Sequence, residues 1–284
     1  MYISGNTYKI FISSTFKDMD FERDVIRNLV IPQLNHTYAK YNLDFHVIDL
    51  RYGINTSGMS EKVASQKVLN MCINTIEASE PFFISFVGNR YGWIPDIKEW
   101  KDFYNQLDEY QQNILKNSDE ISITEMEILY AEAFSKNHDA NFNCLFFMRT
   151  EESLQTLSND AYSDFVETDE GQKRKLAILK NKIAELSKSP NCSLCKYSVD
   201  YKNLKKSKKE LAMLLVDAMT PYIEQLLEKH SLQQIENTFK DWEREGSNTV
   251  GYFTKLYNQS LYREGEELLD EGNILVLGTE FSGK

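Results

Sequence analysis

Several polar side chains suited to nucleotide binding follow apolar runs that are typical of β-strands. Hydroxyl groups at positions 13–15 come after Ile12, Arg51 comes after Leu50, and a Gly-Asn-Arg-Tyr-Gly-Trp segment comes after Val87. Ligands of open parallel sheets bind outside the carboxyl ends of the strands, so we expect these segments to line one cleft. The candidate ligand-binding residues are Phe11, Ser13, Ser14, Thr15, Arg51, Gly88, Arg90, Tyr91 and Trp93.

Each of these segments also has a purely structural interpretation. The hydroxyls at 13–15 could cap the next helix, Arg51 could pair with Asp20 or Glu22, and Gly88 and Gly92 could serve turns with positive φ. The concentration of two arginines, two aromatic residues and three hydroxyls on one predicted edge favours a ligand site.

Two glutamates open a predicted helix over residues 124–135, and either could be catalytic. Ser122-x-x-Glu125 and Thr124-x-x-Glu127 both fit a capping box, in which the glutamate only satisfies free backbone N–H groups. A carboxylate in the first helical turn beside a cleft could instead bind ribose hydroxyls or stabilise an oxocarbenium-like centre, as in glycosidic cleavage. The spacing leaves both interpretations open.

The end of the sequence matches a phosphate-binding P-loop up to its lysine. Gly278, Gly283 and Lys284 have the G-x-x-x-x-G-K spacing, and they follow the strand-like run at 274–277. Backbone N–H groups and the lysine of such a loop bind phosphate, and the hydroxyl residue that comes next holds Mg²⁺. We therefore expect residues 273–284 to begin an NTPase that uses ATP and Mg²⁺ only in the full-length protein.

Alternating strand and helix patterns predict an α/β fold. Apolar runs at 8–12, 45–50, 81–87, 143–148 and 196–199 predict strands, with helices at 20–34, 61–78, 124–135, 171–187 and 205–229. Near-continuous apolar strands indicate a three-layer, flavodoxin-like parallel sheet of about five strands with helices on both faces. We predict this domain at 8–229, a helical linker at 230–272, and surface loops at 104–120 and 159–171.

Composition limits the partners and the compartment. A net charge of −11 and a pI near 5.0 argue against nucleic-acid binding, and no apolar stretch is long enough to span a membrane. The absence of a signal peptide and four cysteines in 284 residues predict a cytoplasmic protein. Cys192-x-x-Cys195 has no histidine at finger-like spacing, so we predict a loop with two free thiols and no metal site.

Three motifs resemble a known family. They are Lys9-Ile10-Phe11-Ile12-Ser13-Ser14-Thr15-Phe16-x-Asp18-Met19-x-x-Glu22-Arg23-Asp24, Asp49-Leu50-Arg51-Tyr52-Gly53-Ile54 and Gly88-Asn89-Arg90-Tyr91-Gly92-Trp93-Ile94-Pro95. This pattern resembles the "FISSTF" N-terminal domain family, which is similar to TIR domains. That family precedes STAND-type, NACHT-like NTPases in bacterial antiphage defence proteins and in animal telomerase-associated and nephrocystin-type proteins.

The resemblance implies an effector domain that cleaves the N-glycosidic bond of NAD or a related nucleotide without a cofactor. It implies Glu127 as the catalytic carboxylate, with Glu125 as the rival, since Thr124 and Ala131 complete the spacing around Glu127. By the same resemblance Ser13 and Ser14 would line the nucleotide, Arg51 and Arg90 would hold phosphates, and Tyr91 or Trp93 would stack on a base. Self-association through the NTPase would activate the domain. The alternative is a non-catalytic module for self-association or partner recruitment.

Overall fold

A computed structural model shows a five-stranded sheet in which every neighbouring pair of strands is parallel. It describes residues 6–50, 61–79, 81–116, 118, 120–137 and 142–253. The strand order is β2-β1-β3-β4-β5, which is the order of flavodoxin-like folds. The α/β prediction is therefore confirmed. The strands are β1 (Asn6–Ser14), β2 (Leu43–Ile48), β3 (Pro81–Val87), β4 (Asn143–Arg149) and β5 (Cys192–Tyr197).

The central strands are buried on both faces because helices cover both sides of the sheet. All seven residues of β3 are buried, and six of the seven in β4 are. Phe11 of β1 lies opposite Phe83 of β3, and their rings stack at 5.7 Å between centroids. This register fixes where β1 ends, and so it places the hydroxyls of Ser13 and Ser14 beside the end of β3.

All but the last of the helices lie between strands in sequence, and the last one follows β5. A helical segment over 20–38 changes to π-helical geometry at Ile26–Val30, with α-helix on either side. The helices are α1 (Asp20–Val25), α2 (Ile31–Tyr38), α3 (Glu61–Glu77), α4 (Ile97–Tyr104), α5 (Glu109–Ile114), α6 (Ile123–Asn137), α7 (Asn159–Phe165), α8 (Glu170–Leu186) and α9 (Leu204–Phe253). Helix α6 packs on both β1 and β4, which brings its first turn to the carboxyl end of β1.

Three local predictions are wrong. The fifth strand begins at Cys192 rather than 196, so the Cys-x-x-Cys segment lies in a strand and not in a loop, although all four cysteines are free. Polar residues in this edge strand hid its apolar pattern. The predicted loops at 104–120 and 159–171 contain α5 and α7, and α5 is stabilised by a capping box between Asp108 and Gln111.

Helix α9 runs without interruption from Leu204 to Phe253, across the position where the sequence suggested two helices. The chain divides into one compact unit ending at Glu224 and a second beginning at Gln225. The boundaries at 229 and 272 stay predictions, and Gly278, Gly283 and Lys284 lie outside the described residues. Within the described ranges, no helix is long and apolar enough to cross a membrane.

Candidate functional site

Ser13 and Glu127 meet at the carboxyl end of β1. Ser13 is the penultimate residue of β1, and Glu127 lies in the first turns of α6. The Ser13 hydroxyl donates to Oε2 of Glu127 at 2.6 Å, although 114 positions separate the two residues in sequence. Both side chains are buried, and only 6% of Glu127 is exposed. The predicted nucleotide-lining serine and the predicted catalytic glutamate are therefore direct partners.

Burial raises the pKa of Glu127 to about 7. Desolvation is the largest cause, because a buried carboxylate loses the water that stabilises its charge. Hydrogen bonds from Cys72 and Ser13 and the charge of Arg23 lower the pKa, whereas Asp49 raises it. A carboxyl group that titrates near neutral pH can exchange a proton or carry a charge during a reaction, so this raised pKa makes Glu127 a candidate functional acid.

Glu125 has a different environment from Glu127. Tyr91 donates its hydroxyl hydrogen to Oε2 of Glu125, and the same tyrosine oxygen accepts from the backbone N of Ser122 at 3.3 Å. Ser122 Oγ accepts from the backbone N of Glu125 at 3.2 Å. The Ser122 side chain thus makes the hydrogen bond that a capping box requires of it. The other bond of the box is replaced, because the backbone N–H of Ser122 donates to the Tyr91 hydroxyl and not to the Glu125 side chain. This arrangement gives Glu125 a structural partner at the start of α6.

The remaining hydroxyls of the first segment are held by the chain itself. Ser14 Oγ accepts from Nε of Arg23 at 3.0 Å, and Thr15 Oγ1 donates to Oδ1 of Asp18 at 2.5 Å. Phe11 is fully buried in the hydrophobic core. Neither hydroxyl caps α1, whose N-cap residue Met19 has no side-chain hydrogen bond. Both hydroxyls instead stabilise the turn into α1, and their contact with a nucleotide stays a prediction.

A buried ion pair lies beside this turn. Arg23 donates to Oδ1 of Asp49, and Arg27 donates to the other oxygen of Asp49 at 2.9 Å. The Arg23 guanidinium also lies under the ring of Phe16, 5.3 Å from its centroid. The pair connects the end of β2 to α1 and supplies the charges that act on Glu127. Arg51 lies outside the described residues, so its predicted phosphate contact stays a prediction.

The segment after β3 departs from the predicted roles. Nη1 of Arg90 donates to the backbone carbonyl of Ser163 at 3.2 Å, so the arginine contacts the last turn of α7. Tyr91 is 1% exposed and cannot stack on a base, whereas Trp93 is 49% exposed. A Cβ at Gly88 would lie 2.7 Å from Nη2 of Arg149, so this glycine permits close packing. Among the predicted ligand-binding residues of this segment, Trp93 is the one with an exposed aromatic ring.

A second ionic cluster was not predicted from the sequence. The buried Arg149, at the end of β4, donates to Oδ2 of Asp18 at 2.6 Å and to Oε1 of Glu22 at 3.0 Å. Tyr197 donates to the same Glu22 oxygen at 2.9 Å. Burial raises the pKa of both carboxyl groups, and the nearby Arg149 lowers it. The sequence feature that could have indicated this cluster is the four-residue spacing of Asp18 and Glu22 within one motif.

Two further features bear on ligand binding. A cavity of about 470 Å³ lies away from Glu127, and none of the predicted site residues lines it. Its walls are Thr156, Leu157, Ser158, Ala161, Phe165, Tyr201 and Lys202. In the part of the chain that the structure describes, no group of three or more His, Cys, Asp or Glu side chains could hold a metal ion. We base the candidate site on the Ser13–Glu127 contact, since no carboxyl group is among the residues that line the cavity.

The sheet order and the Ser13–Glu127 contact define a flavodoxin-like α/β domain with a candidate site at the carboxyl end of its first strand. Residues 9–213 match the family described as "Domain of unknown function (DUF4062)". Because the match covers most of the chain, the protein belongs to that family.

Relatives of the chain include much longer proteins. It is 33% identical over 193 residues to a TPR repeat-containing protein of Dictyostelium discoideum, covering 66% of this chain and 11% of the relative. It is 28% identical over 179 residues to Telomerase protein component 1 of Mus musculus, covering 62% of this chain and 6% of the relative. NACHT and WD repeat domain-containing protein 2 of Mus musculus is 32% identical over 111 residues, covering 37% of this chain and 6% of the relative. The chain therefore spans a small part of these relatives.

One solved structure with similarity is an FMN-dependent NADH-azoreductase from Bacillus anthracis in complex with FMN. The similarity covers 74% of this chain and 100% of the azoreductase chain, with 12% sequence identity and a TM-score of 0.31. At so low a TM-score, this likeness supports no argument about the site.

Proposed function

We propose that this chain contains the TIR-like effector domain of a STAND-type NTPase signalling protein, and that the domain cleaves the N-glycosidic bond of NAD or a related nucleotide. The observation that carries the proposal is the hydrogen bond from Ser13 to the buried carboxyl group of Glu127 at the carboxyl end of β1. Ligands of this sheet topology bind at that edge, next to the point where strand order reverses between β1 and β3.

The chemistry suits a carboxylate in this position. When the bond between ribose C1′ and the nicotinamide nitrogen breaks, the electron pair goes to the nitrogen, and nicotinamide leaves as a neutral molecule. Positive charge then develops on the ribose, and an ionised carboxylate stabilises such an oxocarbenium-like centre. Water adds to C1′ and releases a proton. In this scheme Glu127 acts in its ionised form, and the hydroxyl of Ser13 fixes one of its oxygens.

The wider context of the proposal comes from the relatives and from one sequence motif. Relatives of this chain carry NACHT in their names, and the glycine and lysine spacing at 278–284 matches a P-loop. We infer that a NACHT-like NTPase assembles the protein and so brings effector domains together. The effector reaction then needs no cofactor of its own, and ATP with Mg²⁺ serves only the NTPase. A cytoplasmic location, as in signalling or antiphage defence, fits the four free cysteines.

A recruitment module is the second candidate function. Phe16 is 51% exposed and Trp93 is 49% exposed, and both follow strands at the same edge of the sheet. Exposed aromatic side chains are favoured in protein interfaces. If the domain works only by self-association or partner binding, these rings are needed and the charge of Glu127 is not.

Product analysis separates the two candidates. Residues 1–284 would be incubated with NAD, NADP and nucleosides, both free and clustered through a fused oligomerisation module, and the products would be separated by chromatography. We expect base release from at least one nucleotide, lost in Glu127→Gln and kept in the matched variant Glu185→Gln, whose side chain is exposed on α8. Base release that persists in Glu127→Gln contradicts the catalytic role. Failure of every nucleotide to react supports the recruitment module.

A further inference from the structure

Two of the four cysteines lie side by side on neighbouring strands. Cys144 of β4 and Cys192 of β5 are register partners in a parallel pair, and the backbone N–H of Cys144 donates to the carbonyl oxygen of Asn191 at 2.8 Å. Neighbouring strands of a sheet lie about 4.8 Å apart. A disulfide needs Cα atoms that are about 4.4 to 6.8 Å apart, so the backbone already has the spacing for one.

The side chains of this pair belong to the same buried layer. Cys144 is fully buried and Cys192 is 5% exposed, and both lie in one hydrophobic cluster with Leu179 and Ile183 of α8. Both cysteines are free. Cys195 follows Cys192 by three positions on the same strand, and successive side chains of a strand alternate between the faces, so Cys195 points to the opposite face.

The two thiols differ in acidity and in access. The neighbouring Cys144 lowers the pKa of Cys192, whereas burial raises the pKa of Cys144 well above its usual range. The thiolate is the reactive form of cysteine, so Cys192 is the better nucleophile of the two. Cys192 also begins an edge strand in which four of the six residues are at least partly exposed. An oxidant therefore meets Cys192 before it meets Cys144.

We propose that Cys144 and Cys192 form a redox-modification site, a dithiol that a peroxide oxidises to a disulfide between β4 and β5. The Cys192 thiolate attacks one peroxide oxygen, the O–O bond breaks, and a sulfenic acid and hydroxide form. The sulfur of Cys144 then attacks the sulfenic sulfur, the S–O bond breaks, and the hydroxyl leaves as water with the proton of Cys144. The hydroxide takes up the proton that Cys192 lost. Hydrogen peroxide thus gains two electrons from the two thiols and becomes two water molecules.

The inference is independent of the proposed function, because it uses neither Ser13 nor Glu127. The test is peptide mapping by mass spectrometry of residues 1–284, reduced and then treated with hydrogen peroxide, with the remaining thiols alkylated after unfolding. We expect the loss of two of the four alkylatable thiols, a linked pair of peptides that contain Cys144 and Cys192, and the return of both thiols with dithiothreitol.

Two variants of β5 are compared with the wild type. Cys192→Ser is expected to abolish the linked pair and to leave Cys144 open to alkylation. Cys195→Ala is the matched control, since Cys195 lies on the same strand but on the opposite face, and it is expected to keep the linked pair.

Three results would overturn the proposal. One is four alkylatable thiols after peroxide treatment of protein that circular dichroism shows to be folded. Another is a sulfinic acid at Cys192 with Cys144 still free, because the two sulfurs would then be unable to meet. The third is a set of disulfides in which Cys72 or Cys195 takes part as often as the proposed pair, since mixed pairing reports unfolding before oxidation. If Cys192→Ser fails to fold, the peptide maps of the wild type and Cys195→Ala decide.

Discussion

Replacing Glu127 by glutamine is expected to stabilise the protein at alkaline pH. The folded state raises the pKa of Glu127 from an ordinary value of 4.5 to about 7, mainly through burial. A group whose pKa is raised on folding contributes stability below its unfolded pKa, and that contribution is lost as the pH rises through its folded pKa. The wild type therefore loses stability from this group between about pH 4.5 and pH 7, and a glutamine, which does not ionise, loses none.

The magnitude follows from the size of the pKa shift. One unit of pKa corresponds to about 1.4 kcal/mol, so the difference in free energy of unfolding between Glu127→Gln and wild type should grow by about 2 to 3 kcal/mol from about pH 5 to pH 8. Asp18 and Glu22 also have raised pKa values, but they are present in both proteins and cancel in the difference. The figure assumes that the glutamine keeps the hydrogen bond from Ser13.

The assay is urea unfolding of both proteins at a series of pH values, followed by circular dichroism. Glu185→Gln is the control, because the side chain of Glu185 is 71% exposed, so this change removes a surface carboxylate rather than a buried one. Parallel pH profiles for wild type and Glu127→Gln would refute the argument, since they would mean that Glu127 is ionised in the folded protein as easily as in the unfolded chain.

Three further predictions test the site and its support. The rate of nucleotide cleavage should rise with pH and level off above about pH 7, since Glu127 is proposed to act in its ionised form. A rate that falls through this range in a pH–rate profile would show that Glu127 acts as a proton donor instead. Arg149→Ala should lower the free energy of unfolding by about 3 to 5 kcal/mol in denaturant titrations, because it leaves the carboxylates of Asp18 and Glu22 buried without their cation. An unchanged free energy of unfolding would contradict the importance of this ionic cluster. Gly88→Ala should lower the free energy of unfolding by about 1 to 3 kcal/mol, because a Cβ at this position would lie 2.6 Å from Met19 and 2.7 Å from Arg149. An unchanged Tm would show that these two side chains move aside easily.

The fold was predictable because its strands carry a strong and local signal. The runs around Phe11 and Phe83 are almost wholly apolar, since helices cover both faces of the sheet. The edge strand β5 was placed four residues late because the polar Ser193 interrupts the apolar pattern at its start. Short helices such as Glu109–Ile114 were missed because capping, rather than an apolar face, defines them.

The site was predictable only in part, because contacts between distant residues leave no local signal. The start of a helix made Glu125 and Glu127 both candidates, and the family resemblance favoured Glu127, while its partner Ser13 was a candidate from its place at the end of a strand. Nothing in the sequence indicated that the side chains of Ser13 and Glu127, 114 positions apart, would form a hydrogen bond. Arg90 was predicted to bind phosphate because arginine suits that role, and nothing in the sequence indicated that its Nη1 would donate to backbone carbonyls of α7.

The most direct measurement is the rate of nicotinamide release from NAD by residues 1–284 clustered through a fused oligomerisation module, with clustered Glu127→Gln measured beside it. We predict release by the wild-type protein and no release above background by the variant, with both proteins equally folded. Equal release by the two proteins, or no release by either when the wild type is folded and clustered, would contradict the claim that Glu127 is the catalytic carboxylate of an NAD-cleaving effector.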